Sequence, residues 1–281
     1  MVFLFFRVTI GHMTQKKIQA FQKTIWNYYQ NNHRDFPWRD TKNPYRIFVS
    51  EVMLQQTQTH RVIEKYKEFI RMFPNFVALA HAPFKKIFSV WRGLGYNRRA
   101  LFLKKASEII VKKYRGKLSQ SIDELTALPG IGYNTACSIL AFAFNKPVVF
   151  IETNIRSIFI HFFFARKKSV HDRDILALIK QTLDTKNPRE WYWALMDYGA
   201  MLKKTHPNPS RKSAHHIRQT PFKNSDRQIR GKILALLAEE KYSTLTIKKK
   251  IGAGSLRIPH ILKNLIREGL IRKQKSFHTL T

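Results

Sequence analysis

Leu128-Pro-Gly-Ile-Gly132 stands between a short helical stretch, Ser121–Thr126, and a helical pattern that begins at Asn134. Its glycines permit a tight turn and let an anion come close to the backbone. Successive N–H groups, and the positive end of the helix that follows, then bind that anion. Such an element reads no base, so it suits contact with a nucleic-acid backbone. Leu128, Gly130, Gly132 and the helix residue Thr135 are the expected contacts. A bare Leu-Pro-Gly-x-Gly also serves as a plain turn between helices, and the charge of the chain weighs between the two readings.

That charge is large. The 281 residues carry 51 Lys and Arg against 18 Asp and Glu, a formal +33. The excess is spread along the chain: from Lys203 onward there are 19 basic and 4 acidic residues. A polyanion is the expected partner, double-stranded DNA before an anionic membrane surface, with an extended phosphate footprint. Hydrophobic residues at 44% and aromatics at 13% exclude a disordered scaffold. The single cysteine, Cys137, excludes an internal disulfide framework, a four-thiolate zinc site and a cysteine-ligated iron–sulfur cluster, and points to a reducing compartment such as the cytoplasm. Met1–Ile10 is apolar but too short to span a bilayer. It reads as an extension, with Met13 as an alternative start, and no later run is long and charge-free enough to cross a membrane. A soluble monomer is expected.

Helical periodicity dominates, so the fold class is mainly all-α. The patterns predict helices over Lys16–Asn31, Tyr45–Gln58, His60–Met72, Arg98–Tyr114, Asn134–Phe144, Thr153–Phe164, Asp172–Asp184 and Pro188–Lys203. The last opens with Asn187 as cap and Pro188 at the first helical position. Residues 204–225, with three prolines and many basic residues, read as a linker or wrapping loop. Beyond it, Asp226–Glu239, Thr246–Ile251 and Ser255–Glu268 read as helices, the last with a serine cap after a turn at Gly252-Ala-Gly254. Residues 271–280 read as a β-hairpin. Helix, turn, helix and hairpin predict a winged helix over 226–281, a duplex-binding module, against the plainer alternative of a helical cap with an ordered tail.

Two carboxylates stand in apolar settings. Glu51 lies in Ile47-Phe-Val-Ser-Glu-Val-Met-Leu-Gln-Gln-Thr-Gln58, with Ile47 and Leu54 at i−4 and i+3. Desolvation there favours the protonated form and suits a general acid, whereas an isolated glutamate is more often ion-paired or snorkelling. Gln55 and Gln56 follow, amides able to pair with base edges or fill the gap left by a displaced nucleotide. Glu152 follows Pro147-Val-Val-Phe-Ile151 at a helix start, where a carboxylate is often only a cap. Together the two form a candidate acid and electrostatic pair for cleaving an N-glycosidic bond, by analogy with glycoside hydrolysis.

Phe36-Pro-Trp-Arg39, Ser50-Glu-Val-Met-Leu-Gln-Gln-Thr-Gln58, Gly93-Leu-Gly-Tyr96, Leu128-Pro-Gly-Ile-Gly132 and Met196-Asp-Tyr-Gly-Ala-Met201 occur in this order. Over residues 14–203 the chain thereby resembles the helix-hairpin-helix base-excision DNA glycosylases, most of all the adenine glycosylases of the MutY type. The resemblance implies a two-lobed helical fold, with its hairpin near 121–144 and with DNA and a flipped base between the lobes. It implies that Glu51 protonates the base and helps activate water. Gln55, Gln56 and Tyr96 would enter the duplex, Tyr96 beside the partner of the excised base. Glu152 falls where the family places its catalytic aspartate, and Asn154 matches the asparagine two residues on.

The departures carry their own expectations. Asn134 stands where the endonuclease III branch has its Schiff-base lysine, so hydrolysis without a β-lyase step is expected. The cysteine-rich loop expected after Met201 is replaced by Leu202-Lys-Lys-Thr-His-Pro-Asn-Pro-Ser-Arg211. No iron–sulfur cluster is expected there, and Lys203, Lys204, Arg211 and Lys212 are candidates to take over its phosphate contacts. His206, His215 and His216 have no metal-binding spacing, so no metal is expected. The NUDIX-like reader of 8-oxoguanine is not found in the sequence. The expected activity is monofunctional removal of adenine opposite G or 8-oxoguanine. The alternatives are a T/G, U/G or hypoxanthine glycosylase of the same fold, and a non-catalytic DNA-binding protein.

Overall fold

The computed structural model describes residues 13–252 and 256–281. The N-terminal extension, Ala253 and Gly254 of the expected turn, and the Ser255 cap lie outside them. In chain order the helices are α1 (Gln15–Asn32), α2 (Pro44–Leu54), α3 (Thr59–Met72), α4 (Phe76–His81), α5 (Phe84–Trp91), α6 (Arg98–Tyr114) and α7 (Ile122–Thr126). They continue as α8 (Tyr133–Phe144), α9 (Thr153–Phe163), α10 (Asp172–Thr182), α11 (Pro188–Thr205), a 3-10 turn at Pro209–Lys212, α12 (Asp226–Glu239), α13 (Thr244–Ile251) and α14 (Ile258–Arg267). Strands β1 (Tyr242–Ser243), β2 (Ile271–Gln274) and β3 (Phe277–Leu280) form one antiparallel sheet in the order β1-β3-β2.

The chain divides into two compact units. One takes the residues up to Ile47, Gln120–Thr126 and Gly132–Arg218. The other takes Phe48–Ser119, Ala127–Ile131 and Gln219–Thr281.

The core of the first unit is built around α9, whose residues Ser157–Phe163 are all buried. Phe21 of α1 meets Phe159, Phe162, Phe163 and Trp191 with ring centroids 5.1 to 6.0 Å apart, mostly in the tilted or edge-on geometries that aromatic quadrupoles favour. Helix α11 crosses α9 so closely that a Cβ at Gly199 would lie 2.3 Å from the Asn154 carbonyl oxygen. Only glycine fits there. Two residues earlier on α11, Asp197 is buried and accepts four hydrogen bonds: from the Arg34 backbone N–H and Nε at 2.9 and 2.7 Å, and from both Arg39 terminal nitrogens at 2.8 Å. This bidentate geometry matches a guanidinium fork to a carboxylate and offsets the cost of burying the charges. It ties the Phe36-Pro-Trp-Arg39 segment to the Met196–Met201 segment.

Residues 204–225, expected as a linker, carry structure of their own. Asn208 Oδ1 accepts from the Ser210 backbone N–H at 3.1 Å and caps the 3-10 turn, Lys212 Nζ donates to the Ala165 carbonyl at 2.6 Å, and Ser213 forms a parallel bridge with Val170. At the start of α11, Asn187 occupies the cap position, but its side chain makes no capping bond; Asp184 Oδ1 instead accepts from Lys186 N and Asn187 N.

In the second unit, α4 and α5 are additions to the helices the sequence predicts. At six residues α4 shows little of a helical period, whereas α5 carries Phe84, Ile87, Phe88 and Trp91 at i, i+3, i+4 and i+7, all buried, a pattern that sequence reasoning missed. Their start signals are local, with Asn75 Oδ1 accepting from Ala78 N at 2.8 Å and Pro83 preceding α5. Helix α12 and the hairpin fall where the sequence places them. Helix α13 begins at Thr244 and not at Thr246, α14 begins at Ile258, three residues after the expected Ser255, and β1 is an addition that pairs Tyr242 with His278. They belong to the same unit as α3–α6: Lys85 Nζ donates to the Glu239 carbonyl at 3.2 Å, and α12 packs on α5.

Two substitutions test the packing of the first unit. Asp197→Ala strands two arginines, one of which keeps about a third of its side chain in water. It should lower unfolding free energy by about 3 kcal/mol, the lower end for a broken buried pair, as read from urea denaturation. Gly199→Ala, where no rotamer relieves a backbone clash, should cost about 1–3 kcal/mol in the same measurement. A Gly199→Ala protein as stable as the wild type would contradict the close crossing of α9 and α11.

Candidate active site and nucleic-acid interface

Helix α2 carries Glu51 near its C-terminal end. Val52 and Met53 are buried, while Glu51 and Leu54 are half-buried. The helix stops at Leu54 and not at the expected Gln58, because Gln56 takes a left-handed backbone at φ 54°. Such a conformation in a residue with a side chain costs free energy unless its surroundings impose it. Here they do. Arg99, 7% exposed, donates through Nη1 to the carbonyls of Val52 and Met53, both at 2.8 Å. Its Nη2 donates to Thr57 Oγ1 at 2.8 Å and to the Gly95 carbonyl at 3.0 Å. One buried guanidinium thus closes the end of α2, holds the Gln55–Gln56 turn and grips the Gly93-Leu-Gly-Tyr96 loop. Among the described residues no carboxylate pairs with Arg99, and burial pushes its guanidinium down to about 10, which Arg61 reinforces and Tyr96 opposes. A cation at a helix C-terminus also complements the dipole.

The turn presents its two amides differently. Gln56 is exposed, and Gln55 Nε2 donates to the Gly130 carbonyl at 3.2 Å. Gly130 has φ 78°, and a Cβ there would lie 2.8 Å from Phe102 Cδ2, so both the backbone and the space call for glycine. Leu128, expected among the contact residues, is buried and anchors this turn; its carbonyl accepts from Ile131 N at 3.2 Å. Tyr96 also has a left-handed backbone, at φ 47°, and is 38% exposed.

The first unit assembles a second cluster. Glu152 caps α9, with Oε1 accepting from Asn154 N at 2.8 Å and Ile155 N at 2.9 Å, and Oε2 from Asn154 Nδ2 at 3.2 Å. Asn154 Oδ1 in turn accepts from Lys203 Nζ at 2.8 Å. Burial pushes the Lys203 amine down, opposed by the attraction of Glu152 and reinforced by Arg156. Lys203, expected to meet phosphate, is half-buried and committed to Asn154, while Lys204 is exposed. Asn134 is exposed at the start of α8, and its Oδ1 accepts from Ile151 N at 3.4 Å, one residue before Glu152. Gly132 caps α8 and is exposed, and Thr135 is half-buried.

Glu152, Asn154, Asn134 and Lys203 are therefore neighbours within one unit, and Glu51, Gln55, Gln56, Tyr96 and Gly130 share the other. Among the described residues no group of three His, Cys, Asp or Glu side chains is arranged to hold a metal. Sequence reasoning missed Arg99 and the pairing of Arg34 and Arg39 with Asp197. A signal for Arg99 exists: it falls on the apolar face of the α6 pattern, four and seven residues before Leu103 and Ala106, shortly after the glycine-rich loop.

A family model described as HhH-GPD superfamily base excision DNA repair protein matches residues 49–181. The adenine DNA glycosylase of Buchnera aphidicola subsp. Baizongia pistaciae is 36% identical over 188 residues, 65% of this chain and 53% of that protein. The chain thus spans about half the length of that relative. The adenine DNA glycosylase of Mycolicibacterium smegmatis is 30% identical over 274 residues, 89% of this chain and 92% of that one. The solved structure of a thermostable thymine-DNA glycosylase shares the fold, with a TM-score of 0.61 at 23% identity, over 70% of this chain and 92% of that one. With its motifs in order and a relative matched over nearly its whole length, the chain belongs to the HhH-GPD superfamily of base excision DNA repair proteins.

Proposed function

We propose that the protein is a monofunctional DNA glycosylase that hydrolyses the N-glycosidic bond of adenine mispaired with G or 8-oxoguanine. The observation that carries this reading is the half-buried Glu51 on a helix whose end Arg99 fixes, with the Gln55–Gln56 turn beyond it. In this reading Glu51 gives its proton to the departing base and then takes one from the attacking water. Glu152 stands by the oxocarbenium-like sugar. Of about four acceptor positions on a carboxylate, three are taken by the start of α9, which fixes its orientation and leaves one free. Asn134 offers no amine to attack the sugar, so the product is an abasic site and not a nicked strand.

The donor set around 202–212 does not fit an iron–sulfur cluster. It holds no thiol, and the chain's one cysteine is buried in α8. The Pro209–Lys212 turn is fastened within the first unit by Asn208, whose Oδ1 accepts from Ser157 Oγ at 3.5 Å, by Lys212 and by Ser213. Residues 226–281 are read as a winged helix on the duplex flank. Lys249, Lys250, Lys263, Arg267, Arg272, Lys273 and Lys275 are exposed on it and favour phosphate contact.

Single-turnover excision on duplexes holding A:8-oxoG, A:G, T:G, U:G and hypoxanthine pairs tests the reading. Strand cleavage of the adenine duplexes should appear only after alkali, and Glu51→Gln should abolish it while retaining DNA binding. Cleavage confined to T:G, U:G or hypoxanthine would move the substrate to deamination damage. A Glu51→Gln protein with wild-type rates would remove Glu51 from the chemistry. Binding should also fall steeply with salt: contacts to about 6–10 phosphates imply a loss of roughly 10³–10⁵ in affinity between about 50 and 200 mM. A salt-insensitive Kd would refute the broad footprint.

A further inference from the structure

The segment that leads into α12 returns to the Gly93–Tyr96 loop of the same unit. Gln219 Nε2 donates to the Tyr96 hydroxyl at 2.9 Å. Gln219 is itself held: Arg227 Nη1 donates to its Oε1 at 3.1 Å, and Arg227 Nη2 donates to the Thr220 carbonyl at 2.5 Å. Arg227 is half-buried on the first turn of α12, so its position is set by a helix and not by a loose tail. The Tyr96 ring is thus constrained from two sides. The Arg99 guanidinium lies 5.6 Å from its centroid, and the hydroxyl is tethered by a chain of hydrogen bonds that ends in the C-terminal module. A left-handed backbone, with Gly93 and Gly95 also at positive φ, keeps the ring at the surface.

We propose that the 219–227 strap is a positioning device for Tyr96, through which the C-terminal module sets the choice of base opposite the excised one. The proposal rests on reading Tyr96 as the residue that enters the duplex. Stacking free energy depends on ring overlap and rewards larger bases, so a ring held at one angle discriminates better than one free to tilt. The class of ligand is a purine in the partner strand. Gln219 and Arg227 are positioning residues, acting through the Tyr96 hydroxyl and not through the reacting atoms.

The test measures binding, so that it does not depend on catalysis. Duplexes carrying a 2′-fluoro adenine nucleotide, which resists hydrolysis, face G, 8-oxoguanine or C, and Kd is read by fluorescence anisotropy with the full chain. The wild type should prefer the purine partners. Gln219→Leu and Arg227→Ala should narrow the purine-to-pyrimidine Kd ratio roughly 2- to 10-fold, the scale of one hydrogen bond. Tyr96→Phe, which removes only the hydroxyl, should narrow it equally, and Gln219→Leu in that background should add nothing further. A wild type without purine preference, an unchanged ratio in Gln219→Leu, or multiplicative effects in the double variant would each overturn the proposal. Wild-type excision of the unmodified duplexes, run alongside, judges the glycosylase reading separately. Coupling without excision would sink that reading alone, and excision without coupling would sink the strap alone.

Discussion

A guanidinium taken out of water without a carboxylate must find oxygen dipoles in fixed places, and those places then become fixed themselves. Arg99 collects the carbonyls of Val52, Met53 and Gly95 and the hydroxyl of Thr57. Every group it binds lies within a few residues of Glu51, Gln55, Gln56 or Tyr96. A carboxylate partner would have neutralised Arg99 in one contact. Neutral acceptors spread the same requirement over two separate segments, and so fasten the candidate acid to the candidate wedge. Ring faces complete the shell, with Trp91 5.3 Å and Tyr96 5.6 Å from the guanidinium carbon.

The first unit solves the opposite problem. Asp197 is an acid in a chain rich in bases, buried and surrounded by donors from Arg34 and Arg39. Two residues on, Gly199 lets α11 press against the Asn154 backbone. Asn154 also donates to Glu152 and accepts from Lys203, so the bonds that orient the second carboxylate come from a helix start whose own position is set by the packing of α9 and α11.

Much of this is legible in the sequence, and the illegible parts have a common cause. Glu51 can be singled out because helical spacing puts it among apolar residues and an amide run follows it. The hairpin glycines can be read because Gly130 requires both a positive φ and the space beside Phe102. Glu152 can be singled out because it opens a helix after an apolar run, and the family resemblance adds Asn134. The end of α2 cannot be read, because what stops the helix is a side chain on α6 whose long-range bonds the local pattern does not encode. Asp197 sits in a recognised motif without a role for the same reason, its partners being more than 150 residues away in the chain. Its place in the segment that replaces the family's cysteine-rich loop assigns Lys203 to phosphate, whereas burial beside Asn154 gives it a structural bond. Helix α4 is too short to show much of a period, while the spacing of Phe84, Ile87, Phe88 and Trp91 in α5 is legible, though sequence reasoning missed it.

The division of the chain into units bears on how the protein is made. Neither unit is a continuous segment: the first needs residues through Arg218, and the second recruits Gln219–Thr281 onto elements that begin at Phe48. A ribosome releasing roughly 5–20 residues per second therefore delivers α2–α6 well before the segment that completes their unit. During synthesis α5 waits, without the helix that packs on it, for residues 219–281. A premature stop anywhere in that segment would then leave an unfinished unit in the body of the protein, and not merely a shorter tail.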